Sequence, residues 1–384
     1  MPNEANTIDL FASITNRMPS DILYGEVLYI RLELTDRSII GRFAKVLVEN
    51  DMIFIMDDTP TNNKVFIFDK QGSLISRISA RGQGPNEYVS IYDFFVDMQS
   101  QIIGIYCITG RILKYDFNGV FLNRQINLPR ELLVQEVLFK DGLIYTFSDA
   151  HCPANLCYAF RIFDMDGSLL FEDYPIPKRL TSFPLIGFKS NTIASDGKNI
   201  FLNSINSDII YVMGMDRSFP YLHIDFGRHR MSDRDFSELV RRGQRSRNDI
   251  NRLISTSYTL FGLERFLVNK DFVYMRYLKG ASRFVSIYSR KTGNTLTTQN
   301  IILRDEYTII PLTGIVAVDD TFFFAELPIE SLWHLKEEEE RLGVADESRR
   351  GEFSPERLRR WDSLLRDLNE DDNNMIVAFR LKHF

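Results

Sequence analysis

Asp69, Asp116 and Asp164 stand 47 and 48 residues apart, and each opens the same motif. In VFIFDKQGSLISRI (65–78), ILKYDFNGVFLNRQI (112–126) and FRIFDMDGSLLFEDYPI (160–176), an apolar strand runs into Asp, two residues and Gly, then a second strand. Asp supplies local hydrogen bonding and Gly the positive φ that a tight hairpin needs. Degenerate copies follow at 209–224 and 284–296, and a last strand at 375–381. Each hairpin is preceded by another strand pair, such as KVLVEN with MIFIMDD between 45 and 58; similar pairs begin near 94, 136, 191, 265 and 314. Four antiparallel strands in units of ~40–50 residues, repeated six times, predict an all-β chain folded as a six-bladed β-propeller. The sixth unit lacks a fourth strand. The segment VLYIRLEL (27–34) alternates apolar and polar residues and belongs to no hairpin, so it is expected to pair with 375–381 and close the ring. Residues 1–20 then form an N-terminal extension and 21–384 a single propeller domain.

Composition agrees with this. Of 384 residues 44% are hydrophobic, and 30 Phe and 16 Tyr against 2 Trp suit pleated, half-buried strands. Net charge is -6, from 46 basic and 52 acidic side chains, which argues against nucleic-acid binding. The longest apolar run, Ile102 to Ile108, is far below the ~20 residues of a membrane helix. The first 20 residues carry no basic start or apolar stretch of a signal peptide. Read alone, that predicts a cytoplasmic protein, or an exported one given without its signal.

Residues 78–97 (ISARGQGPNEYVSIYDFFVD) resemble the connector of NHL-type propeller repeats, in which a Gly-rich turn and an aromatic precede the next inner strand. Residues 26–41 (EVLYIRLELTDRSIIG), followed by RGQGPNEY at 81–88, are similar to the TolB-like six-bladed propeller lipoproteins of gut-dwelling Gram-negative bacteria. That resemblance implies a periplasmic or outer-membrane-anchored protein, held to a membrane only through a lipid anchor that this chain lacks. It implies binding more than catalysis, with an envelope protein, peptide or glycan as partner, and a monomer.

In a four-stranded blade the loops after strands two and four share one face and the turns after one and three share the other. The latter are uniformly short and read as purely structural. All long segments fall on the first face: the connector 80–92, the Cys152/Cys157 loop, and insertions at about 228–260 and 331–372. Unequal loops on one rim are where repeat scaffolds carry their binding surface. The first insertion offers Ser232 as N-cap with Asp235 three residues on, and holds eight Arg against four acidic residues over 228–252. It is either an anion-binding segment or a solvated helix whose arginines pair with carboxylates. The second contains two helix patterns, near 330–342 and from Ser354 and Pro355, with 13 acidic and eight basic residues over 336–372. It is either a packed helical hairpin or a partner-binding arm anchored by Trp333 and Trp361.

Arg81, Tyr88, His229 and Arg242 are the expected ligand contacts, because Arg and aromatic side chains suit sugar acids and peptide carboxylates. Gly82, Gly84, Pro85 and Glu87 are expected to shape the connector turn, and the competing reading of Tyr88 is that it joins Glu87 in pinning the turn to adjacent blades. Cys152 and Cys157 are close enough in sequence for a small-loop disulfide, while a zinc site there would want a fourth ligand. No metal or cofactor is expected. The sequence holds no G-x-S-x-G, H-E-x-x-H or phosphate-binding G-x-x-x-x-G-K, and only five histidines, dispersed along the chain. A lyase or lactonase-like hydrolase using residues from several blades at the channel mouth is the alternative function.

Overall fold

The computed structural model describes residues 6–11, 14–15, 22–25, 27–107, 109–130, 132, 134, 135–148, 158–175, 192–204, 207–214, 217–232, 234–235, 238, 260–279, 282–299, 302–304, 309–311, 314–342 and 366–384. Six four-stranded antiparallel blades follow one another along the chain, and in blades 1 to 5 the four strands run in sequence order. Blade 1 is Lys45–Glu49, Met52–Asp57, Lys64–Asp69 and Leu74–Ile78. Blades 2 to 5 begin with Ile91–Asp97, Glu136–Lys140, Ile193–Ser195 and Leu260–Val268. Blade 6 takes Ile315–Val318, Phe323–Leu327 and Met375–Phe379 from the end of the chain and Leu28–Ile30 from its beginning.

Alternation within the middle strands explains why they read as unbroken apolar runs. In Met52–Asp57, Phe54 and Met56 point into the core between blades 1 and 2, while Ile53 and Ile55 point into the core between blades 6 and 1. A strand covered on both faces has no polar side. Six such cores lie between successive blades, and the last joins Ile376 and Ala378 of blade 6 to Phe66 and Phe68 of blade 1.

The Asp-x-x-Gly turns do two jobs. The Oδ1 atoms of Asp69, Asp116 and Asp164 each accept the amides two and four residues on, at 2.8–3.0 Å. The glycines have φ of +89°, +79° and +88° and press on what lies outside the turn. A Cβ on Gly119 would sit 2.4 Å from the carbonyl oxygen of Arg77 in blade 1, and one on Gly72 2.0 Å from that of Arg31. Gly119→Ala is therefore expected to lower stability by more than the about 1–2 kcal/mol that a left-handed backbone alone costs. Denaturant titration reads this, and an unshifted midpoint would mean that the blade 1 edge yields freely.

The start of the chain differs from expectation. Of residues 27–34 only Leu28–Ile30 is strand, with Ile376 opposite Ile30 and Val377 opposite Tyr29. Residues 1–20, read as an extension preceding the domain, instead contribute strands to two blades. Asn6–Asp9 runs parallel to the outer strand of blade 4, with Ile8 opposite Ile224, and Ile14–Thr15 runs parallel to that of blade 5. After blade 6, Glu33 donates its amide to Gly72 O at 2.8 Å in blade 1. The described residues up to Glu33 thus strap the outer edges of four neighbouring blades, satisfying backbone groups that an edge strand leaves open. A second departure is a small hairpin, Ile302–Arg304 with Ile309–Pro311, between blades 5 and 6.

The helix Ile329–Leu342 interrupts blade 6 after its second strand. Ile329 and Leu332 enter the blade 5–6 core together with Leu368, and Lys336 Nζ donates to Leu368 O at 2.8 Å. The pattern from Ser354 falls mostly outside the described residues. Ser232 Oγ accepts the Asp235 amide at 3.1 Å, and residues 234, 235 and 238 are helical.

Candidate functional site

The first strands of all six blades surround a cavity of about 670 Å³ along the ring axis. It reaches the rim formed by the short turns after strand one, at Asp51, Asp141, Gly197 and Asp320. The face expected to be purely structural therefore carries a mouth of the channel.

Aligning the six first strands shows how the cavity is built. Each reads one residue, three small or apolar residues, then a polar one: Lys45-VLV-Glu49, Asp93-FFV-Asp97, Glu136-VLF-Lys140, Thr192-IAS-Asp196, Arg265-FLV-Asn269 and Ile315-VAV-Asp319. Four residues apart in a strand is the same side and about 13 Å along it. The strands thereby stack two layers of polar groups, an inner collar and an outer rim beside the turns.

In the collar, Lys45 Nζ lies 2.8 Å from Asp93 Oδ1 and donates to Phe94 O at 2.9 Å and Val137 O at 3.0 Å. Asp93 Oδ2 accepts the Val137 amide at 2.7 Å. Glu136 Oε2 accepts the Thr192 amide at 2.6 Å, its hydroxyl at 2.9 Å and the Ile193 amide at 3.2 Å. Burial pushes the Glu136 carboxyl up, against the pull of Lys45. One chain of charge-assisted bonds thus ties blades 1, 2, 3 and 4. Arg265 Nη1 donates to Ile315 O at 2.9 Å, joining blades 5 and 6. Its Nε is enclosed without a hydrogen-bond partner, and burial, then Arg276, lowers its pKa to about 10.

The rim is acidic, with Lys140 as its single cation against Glu49, Asp97, Asp196 and Asp319. Asp196 is paired with Arg290 at 2.8 Å. Glu49 remains reachable by water through the mouth but is walled by protein, and burial followed by Asp97 raises its carboxyl to about 7. Asn269 is 2% exposed and gives Oδ1 to the amides of Asp271 and Phe272, while its Nδ2 has no partner. Among the described residues no group of three His, Cys, Asp or Glu is placed to hold a metal ion.

Of the residues expected to contact ligand, Arg81, Tyr88 and His229 do not line this cavity. Tyr88 is fully buried; its hydroxyl lies 3.1 Å from Asn63 O and accepts the Ala80 amide at 3.2 Å, so its ring is closed to stacking. Arg81 is exposed and donates to Pro60 O. The Gly-rich connector is a latch: Glu87 Oε2 accepts the Gly84 amide at 2.8 Å, and a Cβ on Gly82 would sit 1.9 Å from that oxygen. Blade 2 grips it through Arg111 to Glu87 O and Tyr115 to Asn86 O, at 3.1 and 2.9 Å, while Pro85 is exposed at the turn. His229 stands on the long-loop face, 4.8 Å from the Phe11 ring, with Nε2 3.1 Å from Lys279 Nζ. Partial desolvation, then Lys279 and Arg228, hold its pKa below the usual value. Arg242, Cys152 and Cys157 lie outside the described residues. Cys107 is a buried free thiol, raised to about 11 by burial.

Among solved structures the chain is similar to a Bacteroides fragilis NCTC 9343 protein assigned by name as exported, with 20% identity and a TM-score of 0.72 over 99% of this chain and 100% of that one. It is also similar to a member of the duf4221 family from Bacteroides vulgatus ATCC 8482, with 11% identity and a TM-score of 0.54 over 94% and 98%. At such identities these likenesses speak for the fold. No curated protein matches by sequence. A family model, a domain of unknown function (DUF4934), matches residues 5–380.

Proposed function

The chain belongs to this DUF4934 family, and we propose that it is a non-catalytic binding propeller of the bacterial envelope, recognising a glycan, peptide or protein partner on its long-loop face. The observation that carries the reading is the collar. Lys45, Asp93 and Glu136, the charged groups best placed for chemistry at the ring centre, are all engaged in bonds between blades. Such a ring is a rigid platform for loops. On that rim the Phe11, His229 and Lys279 cluster offers a ring and a cation to a sugar acid or carboxylate, with the Lys279 Nζ 4.8 Å from the Phe11 centroid. An envelope location is supported by the name of the B. fragilis relative.

The test is a glycan and acidic-peptide array probed with wild type, His229→Ala and Lys279→Ala, alongside cell fractionation. Loss of about tenfold or more in binding to anionic probes is expected from Lys279→Ala. Equal binding by all three proteins would move the partner surface elsewhere.

One observation favours the alternative, a lyase or hydrolase acting in the channel. Glu49, raised to about 7, has a carboxyl suited to proton transfer. Turnover of a uronic-acid polymer or lactone that disappears in Glu49→Gln would support that reading over the first.

A further inference from the structure

The channel has donors at its inner end and acceptors at its mouth that the fold leaves unused. Arg265 bonds through Nη1 alone, and its Nε has no partner. The nearby Glu136 turns its Oε2 onto Thr192 and Ile193 of blade 4 instead. Buried donors of this kind are rare in native proteins and call for an acceptor. Four residues along the same strand, Asn269 Nδ2 is a second enclosed donor without a partner, and both residues line the cavity. At the mouth, Glu49 of blade 1 and Asp320 of the neighbouring blade 6 also line it and have no hydrogen-bonding or ionic partner among the described residues.

A simple anion meets an acidic rim, and a simple cation meets Arg265 at the inner end. A ligand carrying both charges satisfies both ends if they are about 13 Å apart, the span of four strand residues. A free amino acid is too short. An extended tripeptide covers about 10 Å, and the two side chains reaching toward it close the difference. The volume of about 670 Å³ falls within the range of small-ligand sites.

We propose that the channel binds short zwitterionic peptides, with the C-terminal carboxylate on Arg265, the ammonium group between Glu49 and Asp320, and Asn269 donating to a peptide carbonyl. The raised carboxyl of Glu49 fits this, since burial and Asp97 rather than a cation act on it, while Arg265 has Glu136, Glu264 and Glu326 nearby but no hydrogen bond to any of them. The site is separate from the long-loop rim, so its failure leaves the reading above standing, and His229→Ala does not affect it.

Calorimetric titration of the full chain with trialanine, its C-terminal amide and its N-acetyl form tests the proposal. Trialanine is expected to bind, and either capped peptide to bind at least about tenfold more weakly, as loss of one charge-assisted contact implies. Arg265→Met is expected to bind trialanine as weakly as wild type binds the amide, with amidation then costing nothing further. Glu49→Gln with Asp320→Asn should do the same for acetylation. No binding of trialanine at millimolar concentration, or equal binding of acid and amide by wild type, overturns it. The capped peptides decide the matter even if Arg265→Met does not fold.

Discussion

A chain lacking residues 1–31 is expected to aggregate or to melt at a much lower temperature than the full protein. The deletion removes Leu28–Ile30, which leaves Met375–Phe379, a strand with every residue buried, as an open edge in blade 6. Such an edge pairs with other chains. It also strips the parallel strands from blades 4 and 5 and removes Ile8, Leu10, Ile22 and Ile30, which are 3%, 0%, 6% and 8% exposed. Each such side chain contributes about 1.5–3 kcal/mol. Their sum is comparable to the about 5–15 kcal/mol by which a domain is stable. A shorter deletion, of residues 1–16, keeps blade 6 intact and should show a partial loss. Light scattering and thermal melting separate the cases, and a melting curve unchanged by the longer deletion would show that the ring does not depend on this strand.

Lys45→Met is expected to cost about 3–5 kcal/mol, the range for a buried ion pair that loses one member. The Asp93 side chain is 5% exposed and would keep its charge with only the Val137 amide as a bonded donor. Lys45 also holds the carbonyls of Phe94 and Val137, so its loss loosens the contact of blades 1, 2 and 3 together. Lys45→Met combined with Asp93→Leu should recover much of the loss, because no uncompensated charge remains. Urea denaturation of the single and double variants reads this. A single-variant cost below about 1 kcal/mol, typical of exposed pairs, would mean that water enters the collar.

The propeller was legible in the sequence because its units are local. Asp69, Asp116 and Asp164 with their glycines define hairpins within a few residues, and Phe54 or Ile67 sit in runs that announce strands covered on both faces. The missing fourth strand of the last unit pointed to the start of the chain, since a strand without a hairpin must pair with something distant. The connector glycines were legible too, as turn formers. Tyr88 could be read either as a pin between blades or as a ligand contact, because an aromatic in a surface motif looks the same in sequence whether its ring faces solvent or, as here, a core between blades 1 and 2.

What the sequence left open is what ring closure decides. Asn-Thr-Ile-Asp at 6–9 and Ile-Thr at 14–15 carry no periodic signal, and a parallel strand on an outer edge has no turn to declare it. The leading residues of the six inner strands, five of them polar and the sixth Ile315, can be aligned once the blades are known. Nothing local says that Lys45 meets Asp93 and Val137 while Arg265 keeps an unpartnered nitrogen. Those contacts join residues 48 to 92 positions apart and exist only because six twisted sheets close around one axis. Sequence periodicity fixes how many blades there are; the radial position of each charge comes from their packing.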